Sequence, residues 1–156
     1  MINEEYKIVN GKRMTCGIII ANKDNDILAG HPTGRGYHAQ CYDLLKGCAN
    51  KDEDDFACAA RELKEESGIN IFKKCHLKKI KDLGIFQYNK EKYIHLYLVR
   101  FTKFPNTKKL HCDSYFYNDR GEKIPEMNGY RVIKKNERHL FYKGIQFVLK
   151  KIDELN

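Results

Sequence analysis

The chain has 156 residues, a formal net charge of +8 and 42% hydrophobic residues, which is the size and composition of one folded domain. No apolar run approaches the roughly 20 residues that a membrane-spanning helix needs. The first residues, MINEEYKIVNGK, lack the basic and apolar regions of a secretory signal. These features exclude a disordered or membrane-spanning chain, and we expect a single domain over residues 1–156 in the cytoplasm.

The cysteines and the basic charge give two further expectations. The six cysteines form no C-x-x-C pair, so they are expected to be free thiols that pack as small apolar residues rather than a zinc site. A positive chain favours polyanionic partners such as nucleic acid, nucleotides or phosphorylated metabolites, although surface lysines also serve only to solvate a protein.

The first part of the chain has the pattern of a hairpin. Residues 16–22 are an apolar run that ends in the polar turn NKDND, and residues 27–32 can pair back as a second strand. Residues 33–40 contain two glycines and are typical of a loop. Residues 41–47 predict a short strand that ends at Gly47.

Residues 54–67 predict a helix, because apolar side chains recur there at spacings of three and four. These side chains are Phe56, Ala59, Ala60 and Leu63. Gly68 suits the left-handed residue that ends a helix.

The rest of the chain predicts strands over 69–80 and 83–89, a strand over 92–101, a surface loop over 103–121, a strand over 129–135 and a helix over 138–154. Residues 92–101 carry apolar groups on both faces, which is typical of a central strand covered on both sides. The order of elements predicts an α/β (α+β) fold in which a mixed β-sheet lies between helices.

The helix over 54–67 carries three glutamates on one face: Glu62, Glu65 and Glu66. Like charges at this spacing repel, and a bound divalent cation would relieve the repulsion. Mg²⁺ prefers oxygen ligands and commonly bridges a carboxylate and a substrate phosphate. A solvated helix face neutralised by Arg61 and Lys64 is the other interpretation of these three residues alone.

The wider spacing favours the metal site. From Gly47 the sequence reads GCANKDEDDFACAARELKEESGI, which fits G-x₅-E-x₇-R-E-U-x-E-E-x-G-U, where U is apolar. Every defined position is filled: Gly47, Glu53, Arg61, Glu62, Leu63, Glu65, Glu66, Gly68 and Ile69. This pattern is the Nudix box, and the chain resembles a Nudix hydrolase. The resemblance implies a Nudix-type α/β/α sandwich.

Less specific features are similar to the RNA pyrophosphohydrolase and dinucleoside polyphosphate hydrolase branch. The segment PEMNGYRVI resembles a P-E-x-x-G segment whose glutamate, here Glu126, joins the metal site or acts in catalysis. Arg13 resembles an arginine that contacts nucleotide or phosphate. Leu45 stands where the branch usually has proline before the box, a departure that affects loop stiffness more than chemistry.

The resemblance also implies roles for individual residues. Glu62, Glu65, Glu66 and Glu126 would hold Mg²⁺, with Mn²⁺ as a possible substitute, and either Glu65 or Glu126 would accept the proton from the attacking water. Arg61 and Glu53 would form an ion pair that supports the site, and Arg61 can also orient Glu65, four positions further along the helix.

Substrate contacts are expected from residues near the box and from the last helix. Lys46 and Gly47 abut the site, and Arg13 and Lys143 can reach it. The aromatic side chains of Tyr37, Phe86 and Tyr88 are candidates for base stacking, although core or edge packing is the more ordinary role. His31 is expected to be a strand-end residue rather than a catalyst.

Three functions are compatible with these features. The first is Mg²⁺-dependent cleavage of a nucleotide polyphosphate, either a dinucleoside polyphosphate or the 5′ end of triphosphorylated or capped RNA. The second is hydrolysis of ADP-ribose or a nucleotide sugar. The third is a non-catalytic nucleotide-binding module, which the complete set of box glutamates disfavours. The sequence does not determine the oligomeric state.

Overall fold

The computed structural model describes residues 5–155. Nine strands lie in that part of the chain: β1 (Ile8–Val9), β2 (Lys12–Ala21), β3 (Ile27–Pro32), β4 (Lys46–Cys48), β5 (Lys81–Gln87), β6 (Lys92–Arg100), β7 (Tyr115–Tyr117), β8 (Lys123–Pro125) and β9 (Met127–Ile133). The α-helices are α1 (Asp55–Ser67), α2 (Ile71–Lys74) and α3 (Lys143–Leu155), and short 3₁₀ turns cover 77–79, 107–109 and 135–140.

Seven strands form one mixed sheet, and β2 is its central strand. The main path runs β5-β6-β2-β3-β9, while β1 and β4 also pair with β2. The β2–β6 pair is parallel along its whole length, and the other pairs in the sheet are antiparallel. Along one edge of β2, β4 pairs with the first half of the strand. β3 pairs with β2 only at the last residue of β2, so the edge is open between β4 and β3.

The two faces of the sheet are covered by different helices. The cluster on one face joins Ile18 and Val99 to the buried side of α1, including Leu63. The cluster on the other face joins Ile19 and Leu96 to the buried side of α3. This arrangement confirms the predicted mixed sheet between helices, with residues 92–100 as a central strand.

Helix α1 begins and ends where the sequence predicts, because both ends are capped. The Asp54 side chain accepts a hydrogen bond from the Ala57 N–H at 3.1 Å. Gly68 adopts a φ of 81°, and its N–H donates to the Lys64 carbonyl at 2.8 Å. The box glutamates therefore lie on a helix with fixed register.

Four predictions of secondary structure differ from the structure. The surface loop predicted over 103–121 contains β7, because Tyr115–Tyr117 pair antiparallel with β8. The strand predicted over 69–80 is instead α2 followed by a 3₁₀ turn, because the Asn70 side chain caps α2 by accepting the Phe72 N–H. The strand predicted over 41–47 is reduced to β4, since only residues 46–48 reach backbone partners on β2. The last helix begins at Lys143 instead of residue 138.

The remaining expectations concern thiols and membranes. All six cysteines are free, and Cys16, Cys41 and Cys58 are buried, which confirms that they pack as small residues. No helix within residues 5–155 is both long and apolar enough to cross a membrane.

Candidate functional site

A cavity of about 630 Å³ opens between α1, β4, the start of β2 and the loops that follow β3 and precede β9. Eight of the residues predicted for the site line it: Arg13, Lys46, Gly47, Arg61, Glu62, Glu65, Glu66 and Glu126. Glu53 lies behind this wall in contact with Arg61. Lys143 does not line the cavity; it lies along a separate groove beside α3, where the later start of that helix places it.

Carboxylates form one wall of the cavity. Glu62 and Glu66 are buried on α1, while the Glu65 side chain is 36% exposed. Burial is the main cause that raises the pKa of Glu62 to about 7; Arg61 opposes it, and the charges of Glu65 and Glu126 add to it. Burial, together with the charge of Glu62, raises the pKa of Glu66 well above its usual value. The buried carboxylates of this wall are therefore destabilised in their charged form.

Arg61 links the carboxylates of this wall. Its Nε donates to Glu53 at 2.8 Å, and its Nη1 donates to Glu62 and Glu65 at 3.0 Å. Its Nη2 donates to the Cys48 carbonyl on β4 at 3.2 Å. The ion pair predicted between Arg61 and Glu53 is thus present, and the same guanidinium orients Glu65 as expected for residues four apart on a helix.

Strand β4 fixes the buried glutamates from the other side. The Lys46 N–H donates to Glu66 Oε1 at 2.8 Å. A Cβ built on Gly47 would lie 2.1 Å from Glu62 Cδ, so only glycine leaves room for the Glu62 carboxylate. The first glycine of the box is therefore required by a close side-chain approach and not by an unusual backbone angle.

The donor set fits a hard divalent cation, which prefers carboxylate oxygens. Burial disfavours the charged form of these carboxylates, and a bound cation would stabilise that form. In the conformation described for residues 5–155, no three His, Cys, Asp or Glu side chains converge closely enough to hold a metal ion, because Arg61 holds Glu65 and one oxygen of Glu62.

Glu126 reaches the cavity from the opposite end of the sequence. Its N–H donates to the Ser114 carbonyl at 2.8 Å, and its carbonyl accepts the Thr33 N–H at 3.0 Å. These two bonds tie together the loop after β3 and the hairpin of β7 and β8, so Glu126 is held by backbone contacts on both sides.

The cations at the cavity differ in how they are paired. Lys46 Nζ lies 3.2 Å from Asp43; burial lowers the pKa of Lys46, but Asp43, Tyr88 and Glu66 together outweigh burial and raise it above the ordinary lysine value. Arg13 stacks over the Tyr6 ring and lies 4.0 Å from the exposed Glu91. Arg13 and Lys46, two of the cations predicted to bind substrate, both line the cavity.

The structure also adds lining residues that the sequence analysis did not single out: Tyr6, Thr33, Arg35, Lys92 and Phe116. Arg35 belongs to the glycine-containing loop over 33–40, and Phe116 belongs to an exposed hairpin. A basic residue between two glycines was the one available signal for Arg35. Nothing in the local sequence distinguishes Lys92 or Phe116 from other surface residues.

The candidate stacking residues lie elsewhere. Tyr37 stacks on His31 with ring centroids 3.9 Å apart, and the fully buried His31 bonds to Asn128, which agrees with a strand-end role. Phe86 packs at the edge of the core. The Tyr88 ring lies 5.3 Å from Lys46 Nζ without lining the cavity.

Comparisons with known proteins agree with this geometry. The NUDIX domain model matches residues 11–122. An uncharacterised 17.7 kDa protein of Enterobacteria phage T4, from the e-segB intergenic region, is 33% identical over 134 residues, which cover 81% of this chain and 85% of that protein. The chain belongs to the Nudix family, and it is a hydrolase that acts on pyrophosphate bonds.

Solved structures share the fold at low sequence identity. An Ap4A hydrolase of C. elegans superimposes with a TM-score of 0.55 at 14% identity, covering 90% of this chain and 96% of that one. A bifunctional NMN adenylyltransferase/ADP ribose pyrophosphatase of Francisella tularensis, complexed with AMP and an Mn ion, gives a TM-score of 0.61 at 18% identity. That match covers 93% of this chain and 42% of the larger protein.

Proposed function

We propose that this protein is a Mg²⁺-dependent pyrophosphohydrolase that cleaves a phosphoanhydride bond in a nucleotide. The leading substrates are a dinucleoside polyphosphate and the 5′ end of triphosphorylated or capped RNA. The observation that carries the proposal is that four glutamates and several cations line the same cavity. Carboxylates bind the metal, and the cations meet the phosphates that the metal does not reach.

Glu62, Glu65, Glu66 and Glu126 are the proposed ligands for Mg²⁺, and Mn²⁺ can take its place. The metal, when bound, neutralises phosphate oxygens and lowers the pKa of the attacking water. Arg61 and Glu53 keep the carboxylates oriented from behind the wall.

The attacking water must lose a proton as it reacts, and Glu65 and Glu126 are the candidates to accept it. Glu65 is the more exposed of the box glutamates, and Glu126 is fixed by backbone bonds. The cations Arg13 and Lys46 lie where they can stabilise charge on the phosphates.

The fold of an Ap4A hydrolase supports a dinucleoside polyphosphate, and the basic charge of the chain suits any polyphosphate. ADP-ribose or a nucleotide sugar is the second candidate, since the bifunctional NMN adenylyltransferase/ADP ribose pyrophosphatase also shares the fold, with a TM-score of 0.61. A non-catalytic role is disfavoured because every box glutamate is present.

We also infer one domain over residues 1–156 and, from six free cysteines, a reducing compartment such as the cytoplasm.

A substrate panel tests the proposal. The purified protein is incubated with Mg²⁺ and diadenosine tetraphosphate, triphosphate-ended RNA or ADP-ribose, and released phosphate and mononucleotide are quantified. We expect turnover of at least one substrate and little turnover without divalent metal. A lack of turnover with every substrate, in both Mg²⁺ and Mn²⁺, would contradict the enzyme assignment.

A further inference from the structure

Two polar side chains at the cavity each have a buried atom without a hydrogen-bond partner. Thr33 Oγ1 and Arg35 Nη1 are buried, and neither has a hydrogen-bond partner among protein atoms. In residues 5–155 only Arg138 shares this property, and Arg138 lies away from the cavity. A buried polar atom without a partner is costly, so its presence at a binding cavity calls for a specific explanation.

The local sequence explains why both groups face the same place. The Arg35 N–H donates to the Pro32 carbonyl at 3.3 Å, which closes a four-residue turn. Gly34, the third residue of the turn, has a φ of 96°, a conformation that other residues rarely adopt. The turn is anchored because the Thr33 N–H donates to the Glu126 carbonyl. The Arg35 guanidinium is held 5.2 Å from the centre of the Tyr142 ring.

Charge pairing distinguishes Arg35 from Arg61 and Lys46. Arg61 is shared among three glutamates, and Lys46 pairs with Asp43. Within the described part of the chain, Arg35 makes no ion pair, so it is a cation held in place by stacking alone. A guanidinium fork and a hydroxyl two residues apart match the oxygens of a phosphate group.

We propose that Thr33 and Arg35 form a phosphate subsite next to Glu126. The subsite binds a phosphoryl group of the substrate that lies beyond those at the box glutamates. The inference rests on the proposed function, because it assumes that the cavity receives a polyphosphate chain. It predicts a preference for substrates with more than two linked phosphates.

Binding can be measured without turnover. Inorganic tripolyphosphate is titrated into the full-length protein with Mg²⁺ by isothermal calorimetry, comparing Arg35→Ala, Arg35→Lys and Thr33→Val with the wild type. We expect Arg35→Ala to raise the Kd by about ten- to a hundred-fold and the other two variants by less, because each keeps part of the subsite. The control Arg131→Ala removes an exposed arginine that pairs with Glu137, and it should leave the Kd unchanged.

A kinetic comparison separates substrate binding from a purely structural role. Arg35→Ala should raise KM for diadenosine tetraphosphate more than for ADP-ribose, whereas a structural defect would lower activity on both alike. Wild-type affinity for tripolyphosphate in Arg35→Ala and Thr33→Val, or no binding to the wild type, would overturn the subsite. If no substrate is turned over but tripolyphosphate binding depends on Arg35, the proposed function fails and the subsite stands.

Discussion

Replacing Gly47 by alanine tests how the buried glutamates are positioned. The new Cβ would lie 2.1 Å from Glu62 Cδ and 2.3 Å from both carboxylate oxygens. Carbon atoms in contact prefer about 3.5–4.0 Å, so the Glu62 carboxylate must move by more than about 1 Å. Glu62 is 9% exposed and bonded to Arg61, so the displaced carboxylate loses its place in the wall.

A shift of this size predicts a large loss of activity with little loss of stability. Misplacing a group at a reacting centre by 1 Å can cost on the order of 100-fold in rate. A change beside a metal ligand typically weakens metal affinity by roughly 10- to 100-fold. Alanine in a strand is favoured over glycine by about 0.5–1 kcal/mol, which offsets part of the lost bond to Arg61.

Three measurements check this prediction: kcat/KM on the best substrate of the panel, Mn²⁺ affinity by electron paramagnetic resonance, and urea unfolding. The matched control is Gly129→Ala on β9, where the nearest atoms to a new Cβ lie at 3.4 and 3.6 Å. It should behave like the wild type. If Gly47→Ala kept kcat/KM and Mn²⁺ affinity within about three-fold of the wild type, well inside the 10-fold minimum expected for a disturbed metal site, the proposed role of Glu62 would be refuted.

The remaining predictions concern one half-buried glutamate, one core side chain and one half-buried ion pair. Glu65→Gln should lower kcat by roughly 10²–10⁴-fold in the same assay, with an unchanged thermal midpoint, and near-normal activity would contradict its assigned role. Leu63→Ala should lower the free energy of unfolding by about 2–5 kcal/mol in urea, because Leu63 is fully buried on the side of α1 that faces the sheet.

Asp55→Asn tests the ion pair. Burial opposes the charged form of Asp55, but hydrogen bonds from His95 at 2.7 Å and Lys7 at 2.6 Å outweigh burial and lower its pKa below 3.8. The stabilisation is therefore complete well above pH 3.8 and is lost as the pH falls through the folded-state pKa. The variant should lose about 1–3 kcal/mol at pH 7 and converge with the wild type in acid, and a pH-independent difference would contradict this account.

The structure shows which parts of the fold follow from local sequence. Helix α1 was predicted well because its caps, Asp54 and Gly68, and its apolar stripe agree within one segment. The strand predicted over 69–80 failed because a single side-chain cap at Asn70 and one buried residue, Ile71, outweighed a weak apolar pattern. β4 was shortened because pairing to β2 depends on distant residues.

The sequence by itself determined the carboxylate wall and its support by Arg61 and Glu53. These residues lie within one loop and one helix, where spacing fixes geometry. Only the tertiary structure decided what faces that wall. Thr33 and Arg35 come from one loop, Lys92 from β6 and Phe116 from β7, and folding around β2 brings them to one cavity. The physical reason is that helical periodicity acts over a few residues, whereas sheet pairing joins residues that are far apart in the chain.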